Sequence, residues 1–335
     1  GTYSTQDDGG GAFEFNSAMD GELRLEGQAT SEVILDGALS NGILIFQRYG
    51  TGEFDVYFQN ITLQNSVEDY ESGTYSAAYF YQIKGVLTFR YVKFINNQNI
   101  AINVEGNGYD VSVSIDECEF RSNSGALESL GTTLIQNTTF TQNASGGRLI
   151  YSRNPGTIEI RDSTFENNDF SQCDRFSCTT IFANSVKNSS FVDNTYGRDF
   201  LSVDELDSSR FLNNHFSGDE GVGYTVNNGF SISLGTGVVN NQFINSGTVF
   251  VSTSNPLANN LFSNTRLSAT DENGLPNISN NVFINNDTAD LIGEFIAVNL
   301  NNNYIDTDRV RDIQIAGGGN IAGNAVLGFV NAEEG

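Results

Sequence analysis

Few residues in this 335-residue chain carry the chemistry to make or break bonds, since it holds 1 His, 3 Cys and no Trp. The tightest grouping of reactive types is Tyr91, Lys93, Glu117 and Glu119. A Lys or Tyr so placed could take a proton alpha to a carboxylate, with the glutamates holding calcium. An ordinary surface ion pair of Lys93 with Glu119 accounts for the same residues, and such pairs contribute little. His215 follows Asn213-Asn214 with no acidic orienter, which suits an exposed turn. Acidic clusters such as Glu68-Asp69 with Glu71, and Asp204-Glu205 with Asp207, could take calcium. They lack the regular acidic loop of a dedicated site, so a merely acidic surface is the competing explanation.

Cys173 and Cys178 enclose Asp-Arg-Phe-Ser, close enough to bridge a small loop. Either they form a disulfide, which implies an oxidising compartment, or they are two free thiols. Three cysteines and one distant histidine do not make a zinc site. Of the Asn-x-Ser/Thr sequons, those at Asn60, Asn137 and Asn188 fall at an outward position where a glycan would fit. Those at Asn143 and Asn286 fall in an inferred turn column and suit a glycan less. Tyr70, Tyr75, Tyr79 and Tyr81 crowd one long interval and form the expected contact surface, because tyrosine is amphipathic and loops carry variable contacts, unless Tyr79–Tyr81 are strand residues and only Tyr70 and Tyr75 are exposed.

The elements that position these residues follow from a repeat. Asn-Asn-x-aromatic/Leu recurs at Phe243, Leu261-Phe262, Phe283 and Tyr304, and the same register runs back through Phe211, Phe191, Phe165, Phe140, Phe120, Phe94 and Leu63. A step near 20 residues marks a solenoid, in which each copy stacks on its neighbours. Around each anchor the side chains alternate, so the anchor and the residue two before it face inward. That second position reads Val92, Cys118, Thr138, Ser163, Ser189, Ser209, Asn241, Asn260, Asn281 and, for Tyr304, Asn302. Cys118 thus stands in for Ser or Thr in a buried column and reads as structural. Asn also recurs three after the anchor, at Asn97, Asn123, Asn143, Asn168, Asn194 and Asn214, where it is expected to supply the left-handed turn. A second strand follows in most copies, as at Ile100–Val104, Ala126–Leu130 and Thr180–Ala183.

Short strands returning to one register make an all-β, right-handed parallel β-helix of about 12–14 coils, each about 4.8 Å above the last. Residues 1–20 are expected as an N-terminal segment or partial cap, and residues 21–335 as the β-helix domain. The opening Gly21-Glu22-Leu23-Arg24-Leu25-Glu26-Gly27 and Val33-Ile34-Leu35-Asp36-Gly37 resemble first coils of the pectate-lyase-like superfamily. The repeated F-x-x-N, as in Phe94-Ile95-Asn96-Asn97, is similar to repeats of polymorphic outer-membrane proteins and related adhesins. The resemblance implies either a non-enzymatic extracellular rod, such as an adhesin stalk or appendage subunit, or a calcium-dependent polysaccharide lyase or hydrolase working along one face. In the second case Tyr91, Lys93, Glu117 and Glu119 would be its catalytic group.

Charge narrows the partners. Lys+Arg total 16 against Asp+Glu 41, a net charge of −25, so nothing here grips a phosphate backbone and nucleic acid is excluded. No apolar run is long enough for a transmembrane helix. Carbohydrate remains a candidate ligand. An open strand edge invites pairing, so the C-terminal coil is expected to be covered by a further domain of a longer chain or by head-to-tail self-association. A secreted or cell-surface location fits all of this.

Overall fold

A chain that returns to the same corner once per coil places like residues above like. The computed structural model describes residues 2–4, 13–17, 21–28, 33–37, 43–48, 53–67, 76–105, 111–144, 148–152, 157–171, 179–196, 199–216, 230–233, 237–252, 257–270, 277–284, 291–301, 303 and 310–316. The described elements are all β-strands, and neighbouring coils pair in parallel. A coil has three faces. In one, Gly85–Arg90 leads through Tyr91 and Val92 to Lys93–Ile95, then through Asn96–Asn99 to Ile100–Glu105. The next repeats it as Val111–Asp116, Glu119–Arg121 and Gly125–Ser129, in register throughout. The structure is a parallel β-helix.

The anchor residues line up as the spacing predicts. Phe94, Phe120, Phe140, Phe165, Phe191, Phe211, Phe243 and Phe262 are fully buried and Phe283 nearly so. Their rings stack at 4.4–5.1 Å between centroids and within 12° of parallel. The strand repeat imposes this spacing, and it coincides with the offset stacking that aromatic pairs favour. The column also extends further back than the Phe pattern. Leu63 pairs with Leu35, and Leu35 with Tyr3, so strand Thr2–Ser4 already belongs to the solenoid. Phe13–Ser17 likewise pairs with Leu44–Arg48. The described parts of residues 1–20 are therefore coil strands, where the sequence reading set that segment apart.

The asparagines are the larger correction. The left-handed residue of the second corner is the one before the recurring Asn: Asn96, Ser122, Gln142, Asn167, Asp193 and Asn213 all have φ between 52° and 57°. Asn97, Asn123, Asn143, Asn168, Asn194 and Asn214 instead point inward and are buried. They form an amide ladder. Asn123 Oδ1 accepts from the Asn97 backbone N–H at 3.1 Å and from Asn97 Nδ2 at 2.8 Å. Asn123 Nδ2 donates to the Phe94 carbonyl at 2.9 Å and to Asn143 Oδ1 at 3.1 Å. Two donors and two acceptor lone pairs are all used, which is what burying an amide requires.

The ladder changes corner along the rod. Beyond Asn214 the corner holds Ser246 and Thr265, while the other corner, filled by Thr138, Ser163, Ser189 and Ser209, passes to Asn241, Asn260, Asn281 and Asn303. Ser209 N–H donates to Asn241 Oδ1 at 2.8 Å, and the amide chain then continues to Asn303. That last bond corrects the final repeat. Asn303, not Asn302, lies under Asn281, and Ser279 pairs with Asn301, so the register is one residue off the expectation anchored at Tyr304. The C-terminal coil on which the expected head-to-tail contact rests lies outside the described residues.

Removing one rung should therefore be costly. Asn143→Ala strips partners from Asn123, Asn168, and the Phe120 carbonyl, and is expected to cost about 3 kcal/mol in urea unfolding. A loss under about 1 kcal/mol would show that the ladder is incidental.

Candidate functional site

The first corner precedes the anchor strand and turns through a left-handed residue in each coil. The column reads Asn60, Tyr91, Glu117, Asn137, Asp162, Asn188, Ser208, Asn240, Asn259 and Asn280. Asn and Asp tolerate this conformation, whereas Tyr and Glu give up about 1 kcal/mol or more for it. Tyr91, Glu117 and the smaller Ser208 thus depart from local preference on this edge, and strained positions cluster at functional sites.

Their neighbours make one charged patch. Arg90 is register partner to Asp116, and Lys93 to Glu119. The Arg90 guanidinium lies 3.7 Å from Asp116, 3.9 Å from Glu117 and 5.0 Å from the Tyr91 ring centroid. Arg90 Nη2 donates to the Tyr91 hydroxyl at 3.3 Å, and Asn137 Nδ2 to Asp116 Oδ1 at 2.9 Å. Glu119 accepts from Arg121 Nε at 2.8 Å. The structure brings Tyr91, Lys93, Glu117 and Glu119 onto one face of two coils and adds Arg90, Asp116 and Arg121. Arg90 and Asp116 each directly precede a singled-out residue at the same step, and that repeat is the signal by which they were findable.

Chemically, the patch is mostly satisfied by itself. The Tyr91 phenol is pushed above its ordinary pKa, chiefly by its hydrogen bond to the Glu117 carboxylate. A base needs its pKa lowered toward the working pH, so this shift disfavours Tyr91 as the proton acceptor. Asp116 and Glu117 both face Arg90, and Glu119 faces Arg121. Among the described residues no three His, Cys, Asp or Glu side chains converge in a metal-binding group.

The other singled-out residues sit elsewhere. Tyr79 and Tyr81 share the outer face of strand Ser76–Tyr81, with rings 6.3 Å apart, while Phe80 between them is buried. Tyr79 OH donates to Glu105 at 2.9 Å. Tyr70, Tyr75, Cys173 and Cys178 lie outside the described residues. Asn137 and Asn188 are exposed, whereas Asn60 is half-buried with Nδ2 on the Gly27 carbonyl at 3.3 Å. Asn143 is a ladder rung and offers no free amide. Cys118 is a free, buried thiol beside the Phe89 and Asp116 carbonyls.

No family model matches the chain, and no curated protein does. Among solved structures it is similar to a mannuronic acid specific polysaccharide family 6 lyase enzyme from human gut microbiota. That likeness has 11% identity and a TM-score of 0.50, and covers 95% of this chain and 84% of that one. It shows a shared fold, the right-handed parallel β-helix. No helix among the described residues is long and apolar enough to cross a membrane.

Burial pushes the Cys118 thiol from 9.0 up to about 12. The folded state therefore keeps its proton where the unfolded chain loses it, and this contribution to stability is lost as pH rises from 9.0 toward about 12. Each such group steepens the alkaline limb by about 1.4 kcal/mol per pH unit. Cys118→Ser is expected to flatten that limb in urea melts above pH 9.0. An unchanged slope would mean the thiol is not held neutral by burial.

Proposed function

We propose that the protein is a non-enzymatic, extracellular β-helix rod, an adhesin stalk or a structural subunit of a surface appendage. The observation that carries this reading is the mutual pairing of the candidate catalytic groups: Arg90, Asp116, Glu117 and Tyr91 satisfy one another, and the phenol is shifted away from basicity. Axial stacks of Phe and Asn, the amide run changing corner once, suit a rod whose task is to span distance. A rod of this kind lengthens by head-to-tail stacking or by further domains of a longer chain. A net charge of −25 suits a secreted surface component and works against an anionic polysaccharide as substrate.

A second reading is a calcium-dependent polysaccharide lyase or hydrolase. It is favoured by the fold shared with the polysaccharide family 6 lyase and by Tyr91 and Glu117 occupying left-handed positions beside Lys93. In that reading Lys93 is the base and Tyr91 the proton donor, a role its raised pKa suits.

The two readings part in one assay. Polymannuronate, polyguluronate and pectate incubated with the protein and calcium should release no unsaturated product, followed by absorbance of the new double bond. Turnover that disappears in Lys93→Ala would replace the rod with the lyase.

A further inference from the structure

Among the described residues only Val86, Tyr91 and Phe182 are large apolar side chains with substantial exposure, Phe182 at 37%. Phe182 lies on the third face, far along the chain from the Arg90 patch. Its neighbours there form one column over successive coils, in which Tyr79, Glu128 and Tyr151 are half-buried and Ile45 and Asn103 are buried. The Tyr151 and Phe182 rings meet at 6.3 Å and 69°. On the following coil Phe182 pairs with Ser202, which is too small to cover it. An aromatic ring at this position loses the burial that the Phe column inside the rod enjoys.

The polar groups around it are planar and pre-placed. The Arg148 guanidinium rests 3.6 Å over the Tyr151 ring, so binding would freeze little further side-chain freedom. Glu128 pairs with Tyr151 on the preceding coil.

We propose that Phe182 and the Arg148–Tyr151 stack form a platform for a neutral oligosaccharide lying along the coils. A pyranose offers a C–H face that packs on an aromatic ring, and hydroxyl pairs that match planar guanidinium and carboxylate groups. The net charge of −25 selects against uronate or sulfated chains. From Phe182 to Glu128 is two coil steps, roughly 10 Å, which holds a short oligosaccharide. The platform deepens the rod reading by giving the rod something to hold, and rests on that reading only in that the glycan is kept rather than cut.

The test is saturation-transfer NMR and calorimetry with neutral hexasaccharides, the β-1,4-linked glucose, mannose and galactose series, with oligomannuronate as the charged comparison. At least one neutral chain should bind the wild type, and Phe182→Ala should weaken it about tenfold or more. Arg148→Ala should weaken it as well, with melting temperatures of both variants unchanged. Should Phe182→Ala misfold, Phe182→Ser and Arg148→Ala carry the same comparison. Binding of no neutral chain, binding indifferent to both substitutions, or preference for oligomannuronate each overturns the platform. Cleavage of a bound neutral chain would overturn the non-enzymatic reading and leave the platform standing.

Discussion

A buried side-chain amide seeks four hydrogen-bond partners, and the ladder asparagines of this rod find most of theirs in the coils above and below. Asn168, for example, bonds Asn143 on one side and Asn194 on the other, and its remaining donor reaches the Phe140 carbonyl. Any slip of one coil against the next would orphan the rungs on both sides of that junction. The Phe column packs wherever the register puts it, whereas the amides specify which register that is. Stability and specificity are thus divided between apolar stacking and the ladder.

This division explains why the chain tolerates a change of corner. Between Asn214 and Asn241 the amide run moves across the anchor strand, and Ser209 links the two by its backbone N–H. Each described coil from Asn97 to Thr265 keeps a small hydroxyl, thiol or aliphatic group at one corner and an amide or its hydroxyl substitute at the other. Two bulky amide stacks in one cross-section would crowd the interior, so one is retained and the other reduced. The outer surface is free of this rule. It carries exposed amide pairs such as Asn213 with Asn245, the Arg90 patch, and the aromatic group on the third face.

Much of the fold was legible because its signal is periodic and inward. Phe94 through Phe283 could be aligned by spacing alone, and the inward residue two before each anchor could be named. The role of Asn97 and its successors was misassigned for a physical reason: Asn serves both left-handed turns and buried ladders, and here those are adjacent positions. Tyr304 was misaligned because the run Asn301-Asn302-Asn303 offers three equivalent starts. The strands Thr2–Ser4 and Phe13–Ser17 escaped notice since they lack the amide corner that marks later coils. Of the candidate sites, the shared face of Tyr91, Lys93, Glu117 and Glu119 followed from alternation. Its partners Arg90 and Asp116 were findable at the same step, one residue before Tyr91 and Glu117, whereas the exposure of Phe182 depends on which outward groups cover it, and a period does not encode that.

The claim on which everything else stands is that the inward asparagines are hydrogen-bonded rungs. Side-chain amide hydrogen exchange, measured by NMR on the folded protein, tests it residue by residue. The Nδ2 protons of Asn123, Asn143, Asn168 and Asn194 are expected to exchange orders of magnitude more slowly than those of the exposed Asn245 and Asn264. Exchange of the inward amides at the rate of the surface ones would contradict the ladder, and with it the register that places both outer sites.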